Sequence, residues 1–254
     1  MIIKSIEKAM KMLDFVSENS GGTPVKLQRI AQAMDMPPST CARTLATLCA
    51  CNYLEKVSRT EGYILGPKAY LLSAHRPYRM DMLRVAIPYL LELCNKVQAN
   101  VSLSTYHRGN LYVAYSAFYE DEGIRRKGIL RGQLYSSAGG RVILAYMDPM
   151  ERKQVFETRG MPTPEEWPAA ITPRSLEKEL SKIRQDGYCI ACPVNVSMAA
   201  VSCPLWSGGS RVREAMGVYM PVEHFQGEKR EKTVYETQLA AYIINKQLAR
   251  ALHE

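Results

Sequence analysis

No stretch of this chain is apolar for long enough to cross a bilayer as a helix. The opening MIIKSIEKAMKMLDF carries charges throughout, so it lacks the uninterrupted apolar core of a secretory leader, and the expected compartment is the cytoplasm. Histidine is scarce and scattered, at His75, His107, His224 and His253. The seven cysteines, Cys41, Cys49, Cys51, Cys94, Cys189, Cys192 and Cys203, are odd in number and do not suit a secreted disulfide framework. Cys189 and Cys192 form a CxxC, but no second pair or histidine cluster follows at zinc spacing. The thiols read as buried strand residues, and neither a metal nor another cofactor is expected. Nothing has the form of a nucleophile elbow or of a glycine-rich phosphate loop.

What is present is an ordinary globular balance: 254 residues, 46% hydrophobic and 23% charged, enough for one large or two modest domains. The net charge is +8 and its distribution is uneven. The first 80 residues hold 11 Lys and Arg against 6 Asp and Glu, the remainder 22 against 19. An anionic partner is therefore expected at the N-terminal end.

The pattern beneath that charge is specific. Ile6, Ala9, Met10, Leu13 and Val16 recur at helical spacing and predict an amphipathic helix over residues 4–19, stopped by Ser20-Gly21-Gly22. Leu27, Ile30, Ala31 and Met34 mark a second, short helix. Asp35-Met36-Pro37-Pro38 forces a tight connection, because two successive prolines cannot continue a helix interior. A third helix starts at Pro38, with Ser39 and Thr40 in its first turn. Cys41, Leu45, Leu48 and Cys49 form its core side; Thr40, Arg43, Thr44 and Thr47 form the other. Small hydroxyls around one arginine suit a major groove, where arginine grips guanine bidentately. A solvated face is the plainer reading of a polar stripe, but such a face favours Lys and Glu, and this helix has neither. Residues 52–57 and 63–65 then predict two short strands around a polar turn, a wing whose Lys56 and Arg59 lie near phosphates.

These segments carry a resemblance. SIEKAMKMLDF, LQRIAQAMDMPPSTCARTLATL, the NYLEK…GYILG wing, LYSSAGGRVILAYM, the GYC at Gly187 and VSCPLW together resemble the IclR family of transcriptional regulators, over nearly the whole chain. The resemblance implies an α+β protein of two domains. The first is a winged helix-turn-helix of three helices and a β-hairpin over residues 1–66. A linker helix over 67–80 joins it to a GAF-like domain over 81–254, with a mainly antiparallel sheet flanked by helices. It implies binding to double-stranded operator DNA, assembly as a homodimer or homotetramer, and no membrane. It also implies a small effector, a carboxylate or aromatic acid and so anionic, held by Leu134, Ser137, Ala138, Gly139, Ala200, Gly217 and Tyr219.

The residues themselves predict much of the second domain. A long helix is expected over 81–98, bent at Pro88, with Leu83, Ile87, Leu90, Leu91 and Leu93 apolar. Strands are expected over 100–106, 110–118, 188–196, 199–206 and 212–220, and helices over 173–185 and 228–252. The last helix presents Leu239, Tyr242, Ile243 and Ala249 along one side. Ser136 to Gly140 pass from a strand end into a helix start, whose N–H groups favour an anion. The chain departs from the family pattern at Ile190-Ala191-Cys192-Pro193, where acidic residues are common, and at Ser197-Met198, where glycine is. Tyr219, where smaller residues are common, narrows the expected pocket or stacks on an aromatic ligand. Residues 125–131 form the one dense basic run. Two other readings stay open: a thiol-dependent enzyme using Cys203 or Cys192 with His224, and a winged domain that serves only protein contacts.

Overall fold

The computed structural model describes the chain except residues 1, 21–22, 59, 73–79, 120–128, 131–133, 193–196, 208–211 and 252–254. It divides into two compact units, Met1–Tyr78 and Arg79–Glu254.

In the first unit, α1 (Lys4–Asn19), α2 (Leu27–Ala33) and α3 (Pro38–Ala50) enclose a core of Met12, Val16, Ile30, Ala31, Cys41, Leu45 and Leu48. The joints are made by non-glycine residues in the left-handed region. Asp35 (φ 47°) ends α2, letting Met36 N–H reach back to Ala31 O at 3.1 Å. Asn52 (φ 62°) does the same for α3, with Tyr53 N–H on Leu48 O at 2.9 Å. Asn and Asp tolerate this conformation best among residues with a Cβ, and the bond satisfies a helix-end carbonyl.

Strands β1 (Leu54–Ser58) and β2 (Gly62–Leu65) pair antiparallel as the hairpin. Val25 adds a single bridge to Tyr63. Gly62 is at φ +117°, and a Cβ there would overlap the Val25 carbonyl, so only glycine lets this backbone pass. The short helix α4 (Pro67–Leu71) follows, and the rest of the expected linker at 73–79 lies outside the described residues.

One expectation is corrected here. Met12 and Val16 are the residues of α1 buried in the core, whereas Ile6 and Met10 are 55% and 50% exposed. The core reaches only the C-terminal part of α1, so the apolar stripe at its start is uncovered in the single chain.

The second unit is a six-stranded antiparallel sheet between helices. The strands β3 (Asn100–His107), β4 (Asn110–Ala117), β5 (Ile129–Leu130), β6 (Cys189–Ala191), β7 (Met198–Leu205) and β8 (Glu214–Pro221) take the order β5-β4-β3-β8-β7-β6. Alternate residues face opposite layers. Val101, Leu103, Val201, Cys203, Met216 and Val218 point to α5 (Met80–Val97) and α9 (Gly227–Ala251). The other face meets α6 (Ala138–Tyr146), near α8 (Pro173–Asp186), in a separate core with Leu134, Ile143, Leu180 and Trp167. Helix α5 runs on through Pro88. Gly187, at φ 76°, caps α8 as expected.

The sequence reading missed α7 (Pro149–Arg159), which Asp148 caps by accepting from Met150 and Glu151 N–H. The expected strand over 188–196 is observed at Cys189–Ala191, with 193–196 outside the described residues. The apolar side assigned to the last helix is also corrected: Tyr242 is 56% exposed and Ala249 is exposed. The buried side is Thr233, Thr237, Ala240, Ala241, Ile244 and Leu248. Small residues face the core, and the two threonines satisfy their hydroxyls on Lys229 O and Thr233 O of their own helix, at 2.7 and 2.6 Å.

Candidate nucleic-acid interface and ligand cavity

Helix α3 turns a polar face outward. Ser39, Arg43 and Thr47 are exposed, Thr40 and Thr44 half-buried, while Cys41, Leu45 and Leu48 hold the opposite side in the core. No side chain caps the start of α3, so its first turn can offer backbone donors to a phosphate. Two of the hydroxyls are committed within the helix. Thr44 Oγ1 donates to Thr40 O at 3.3 Å and Thr47 Oγ1 to Arg43 O at 3.1 Å. They meet a ligand as acceptors, for instance of a base amino group, and Arg43 is the donor at the centre of the face. Lys56 is exposed on β1 with its Nζ 6.0 Å from the Tyr63 ring centre. Arg59, expected beside it, lies outside the described residues, as do 125–128 and Arg131 of the dense basic run.

In the second unit, one small cavity of about 60 Å³ lies against the sheet, below the usual range for small-ligand pockets. Ser137, Ala138, Gly139, Ala200, Gly217 and Tyr219 all line it. Leu134 does not: it is buried in the α6–α8 core, and its carbonyl lies where a Cβ on Gly140 would have to go. That close approach brings the loop onto the start of α6.

The cavity exists because the sheet is bare there. Ser116, Ser102, Gly217 and Ser202 stand in one transverse row over four strands, by pairings Ser102↔Ser116, Ser102↔Gly217 and Ser202↔Gly217. A Cβ on Gly217 would overlap the Ser202 hydroxyl and the Val201 carbonyl. Opposite, a Cβ on Gly139 would come into ordinary contact with Ala215 Cβ at 3.6 Å and with the Ser104 and Ser202 hydroxyls at 3.8 Å.

Five serines thus line the cavity: Ser102, Ser104, Ser116, Ser137 and Ser202. Of these the sequence reading named Ser137 alone. The signal was the run Asn100-Val-Ser-Leu-Ser, where serine takes every second place of a strand that otherwise alternates into a core. Ser116 Oγ is buried and makes no hydrogen bond among the described residues. A buried hydroxyl left unmatched is costly in the empty chain and is a donor for a bound molecule.

Ser137 caps α6 by accepting from Gly140 N–H at 3.0 Å. The amides of Ala138 and Gly139 stand at cavity-lining positions beside it. Among the described residues no Lys, Arg, His, Asp or Glu lines this cavity.

Arg141, in the same motif, turns away. Its Nε donates to Tyr135 O at 2.6 Å, its Nη2 to Glu166 O at 2.8 Å, and the guanidinium sits 4.5 Å from the Trp167 ring centre. Burial pushes its pKa below the ordinary value. It ties the loop before α6 to the segment before α8 and so fixes the cavity wall.

Of the two thiols named with His224, Cys203 is poorly placed for catalysis and Cys192 is exposed. Cys203 is buried against α5 and α9, and burial pushes its pKa up to about 12, away from the thiolate a nucleophile requires. His224 is exposed. Among the described residues no cluster of His, Cys, Asp and Glu could hold a metal ion, and no helix is long and apolar enough to cross a membrane.

Comparison with known proteins places both regions. Residues 5–58 match the family model of the IclR helix-turn-helix domain, and residues 75–245 match that of the bacterial transcriptional regulator IclR C-terminal region. The HTH-type transcriptional regulator BhcR of Paracoccus denitrificans is 29% identical over 207 residues, covering 76% of this chain and 72% of that protein. Among solved structures, an IclR transcriptional regulator of Alicyclobacillus acidocaldarius aligns with TM-score 0.77 at 20% identity, over 97% of this chain and 99% of that one. An IclR homologue of Microbacterium hydrocarbonoxydans, solved with 4-hydroxybenzoate, aligns with TM-score 0.76 at 20% identity and the same coverage. At that identity the two structures speak for the fold.

Proposed function

The chain belongs to the IclR family of transcriptional regulators, and from that premise we propose that it binds operator DNA through α3 and the wing, under the control of a small acid held in the serine-lined cavity. The observation that carries the DNA half is the exposed Ser39–Arg43–Thr47 face on a helix whose other side is core. Arg43 reads a base edge, Ser39, Thr40, Thr44 and Thr47 contact phosphates or base edges, and Lys56 and Arg59 position the domain.

For the ligand half, the support is a small cavity whose polar groups are hydroxyls and the start of α6. With no charged side chain among the described residues of the lining, a carboxylate is received by the helix N-terminus and the serines. Tyr219 offers an aromatic face to the remainder of the ligand. The structural neighbour solved with 4-hydroxybenzoate supports an aromatic monocarboxylate as one member of the class.

Control follows from a population shift: a ligand that prefers one conformation of the second domain changes how paired winged domains engage two half-sites, about one helical turn apart. Pairing is supported by uncovered apolar surface, Ile2, Ile3, Ile6 and Met10 on α1 and its approach, and Tyr70, Leu71 and Leu72 at α4. No catalytic role is assigned to any residue.

The test is binding of the full-length protein to DNA upstream of its own gene, at two salt concentrations, with random competitor DNA. Saturable, selective binding that weakens steeply with salt is expected. Binding indifferent to sequence at both salts would sink the reading in favour of a winged domain used for protein contacts.

A further inference from the structure

Beside the serine-lined cavity lies a second, open groove of about 480 Å³. Tyr219 lines both. The sheet register shows how: Tyr219 of β8 stands between Asn100 of β3, which lines the groove, and Ala200 of β7, which lines the cavity. Tyr219 therefore stands where the two spaces approach each other, at the end of the sheet. The groove differs from the cavity in charge. Lys229, in the first turn of α9, and His224, in the one-turn 3-10 helix before it, both line it, and no carboxylate does among the described residues. Lys229 is half-buried and has no carboxylate partner among the described residues. Asn100 is held in place by accepting from Tyr119 N–H at 3.0 Å, which fixes the far wall.

We propose that this groove is the entry port of the cavity for small acids, with Lys229 drawing anions in and Tyr219 limiting what passes. The proposal rests on the reading of the cavity as the ligand site. A cation at the mouth of a recess with low-dielectric walls concentrates anions there and speeds their arrival, and salt screens the effect. The cavity itself offers an anion only hydroxyls and helix amides, so selection by charge takes place at the port and selection by shape behind it. Tyr219 has to swing aside for passage. A smaller residue at 219 joins the two spaces and removes the limit on ligand length.

The test needs no identified ligand. In full-length protein carrying Ser102→Cys, which lines the cavity but not the groove, alkylation of the introduced thiol by iodoacetamide and by iodoacetate is timed by peptide mass spectrometry. The exposed Cys51 serves as the internal control. Tyr219→Ala is expected to speed both reagents at position 102 by about tenfold, as when local opening ceases to limit access, and Tyr219→Phe to leave them unchanged. Lys229→Gln is expected to slow iodoacetate severalfold at low salt while sparing iodoacetamide. If Tyr219→Ala proves unstable, Tyr219→Leu takes its place. Unchanged rates in a folded Tyr219 variant, or equal slowing of both reagents by Lys229→Gln, would overturn the port. Failure of every small acid to alter DNA binding, with the alkylation pattern as expected, would instead overturn the effector reading and leave the port intact.

Discussion

Ser102 and Ser202 flank Gly217 in register, one on each neighbouring strand, and the missing side chain at 217 is what leaves room for the Ser202 hydroxyl. Gly217→Ala sets a methyl against that hydroxyl and the Val201 carbonyl. Overpacking of this kind costs about 1–3 kcal/mol, outweighing what alanine gains over glycine in a strand. The expected result is a lower melting temperature together with loss of the thermal shift expected from small aromatic carboxylates on the wild type. A variant that melts normally and keeps the ligand shift would show that the row of small residues does not shape the site.

On the DNA face the committed hydroxyls predict an order of effects. Arg43→Ala is expected to weaken specific binding by about 1–3 kcal/mol, the usual loss for a bidentate base contact. Thr47→Ala should cost less, because the hydroxyl proton is already used on Arg43 O. Lys56→Gln should weaken all sequences alike and lower the salt slope by about one. Titrations of native operator and scrambled DNA at three salt concentrations separate these outcomes. An Arg43→Ala protein with unchanged operator affinity would remove Arg43 from base reading.

Much of this was legible in the sequence, and the reasons it stopped are physical. The proline pair after Asp35 and the glycine in the wing turn are local signals, and the three helices and hairpin appear where they predict, with Asn52 ending α3 instead of opening the strand. Which side of a helix is buried is not local. Helix α1 has apolar residues along more of its length than its own core can cover, so Ile6 and Met10 read as core and are exposed. Helix α9 has two apolar sides, and the close approach of α5 and the sheet selects the one with alanine and threonine. In the cavity, the named glycines and alanines were legible through the resemblance. The serines were not, because they come together only through strand register between β4, β3, β8 and β7.

Arg141 yields a stability prediction. Arg141→Met leaves the Tyr135 and Glu166 carbonyls without their donors and removes the stacking on Trp167. Each lost bond at a buried acceptor costs about 1–3 kcal/mol, so a total of roughly 2–6 kcal/mol is expected in the unfolding free energy from denaturant titration. Arg141→Lys should recover little, since an ammonium cannot span two carbonyls as the planar fork does. Full recovery by lysine would mean that charge alone holds the wall.

Alkaline pH should unfold the second domain through groups kept neutral by burial. Tyr135 donates to Gly160 O at 2.7 Å, and burial raises its pKa from 10 to about 12. Burial also raises Cys189 from 9 to about 11 and Cys203 from 9 to about 12. A pKa raised on folding gives stability that is complete below the unfolded value and is lost as pH climbs to the folded one. Stability is thus expected to be flat to about pH 8 and to fall between about 9 and 12. Tyr135→Phe, less stable at neutral pH for want of the bond, should show a shallower decline between pH 10 and 12. Urea midpoints at unit pH steps measure it, and parallel declines in the two proteins would clear Tyr135 of the effect.

The uncovered start of α1 makes the last prediction. Ile6 and Met10 are one helical turn apart, half-exposed or more, and Ile2 and Ile3 extend the same apolar surface. Burying such a side chain at an interface between copies gains about 1.5–3 kcal/mol, and a two-fold contact counts each residue twice. Ile6→Glu should therefore weaken self-association by roughly a hundredfold or more, since every 1.4 kcal/mol is a factor of ten. Because the side chain packs on nothing in its own core, the far-ultraviolet spectrum of the dilute variant should not change. Sedimentation velocity over a concentration series reads the association, and operator titration reads its consequence: half-site binding persists while cooperative binding to paired half-sites is lost. A wild-type chain that stays monomeric at micromolar concentration, or an Ile6→Glu variant that associates as well as wild type, would place the pairing surface elsewhere. The apolar start of α1 would then need another occupant.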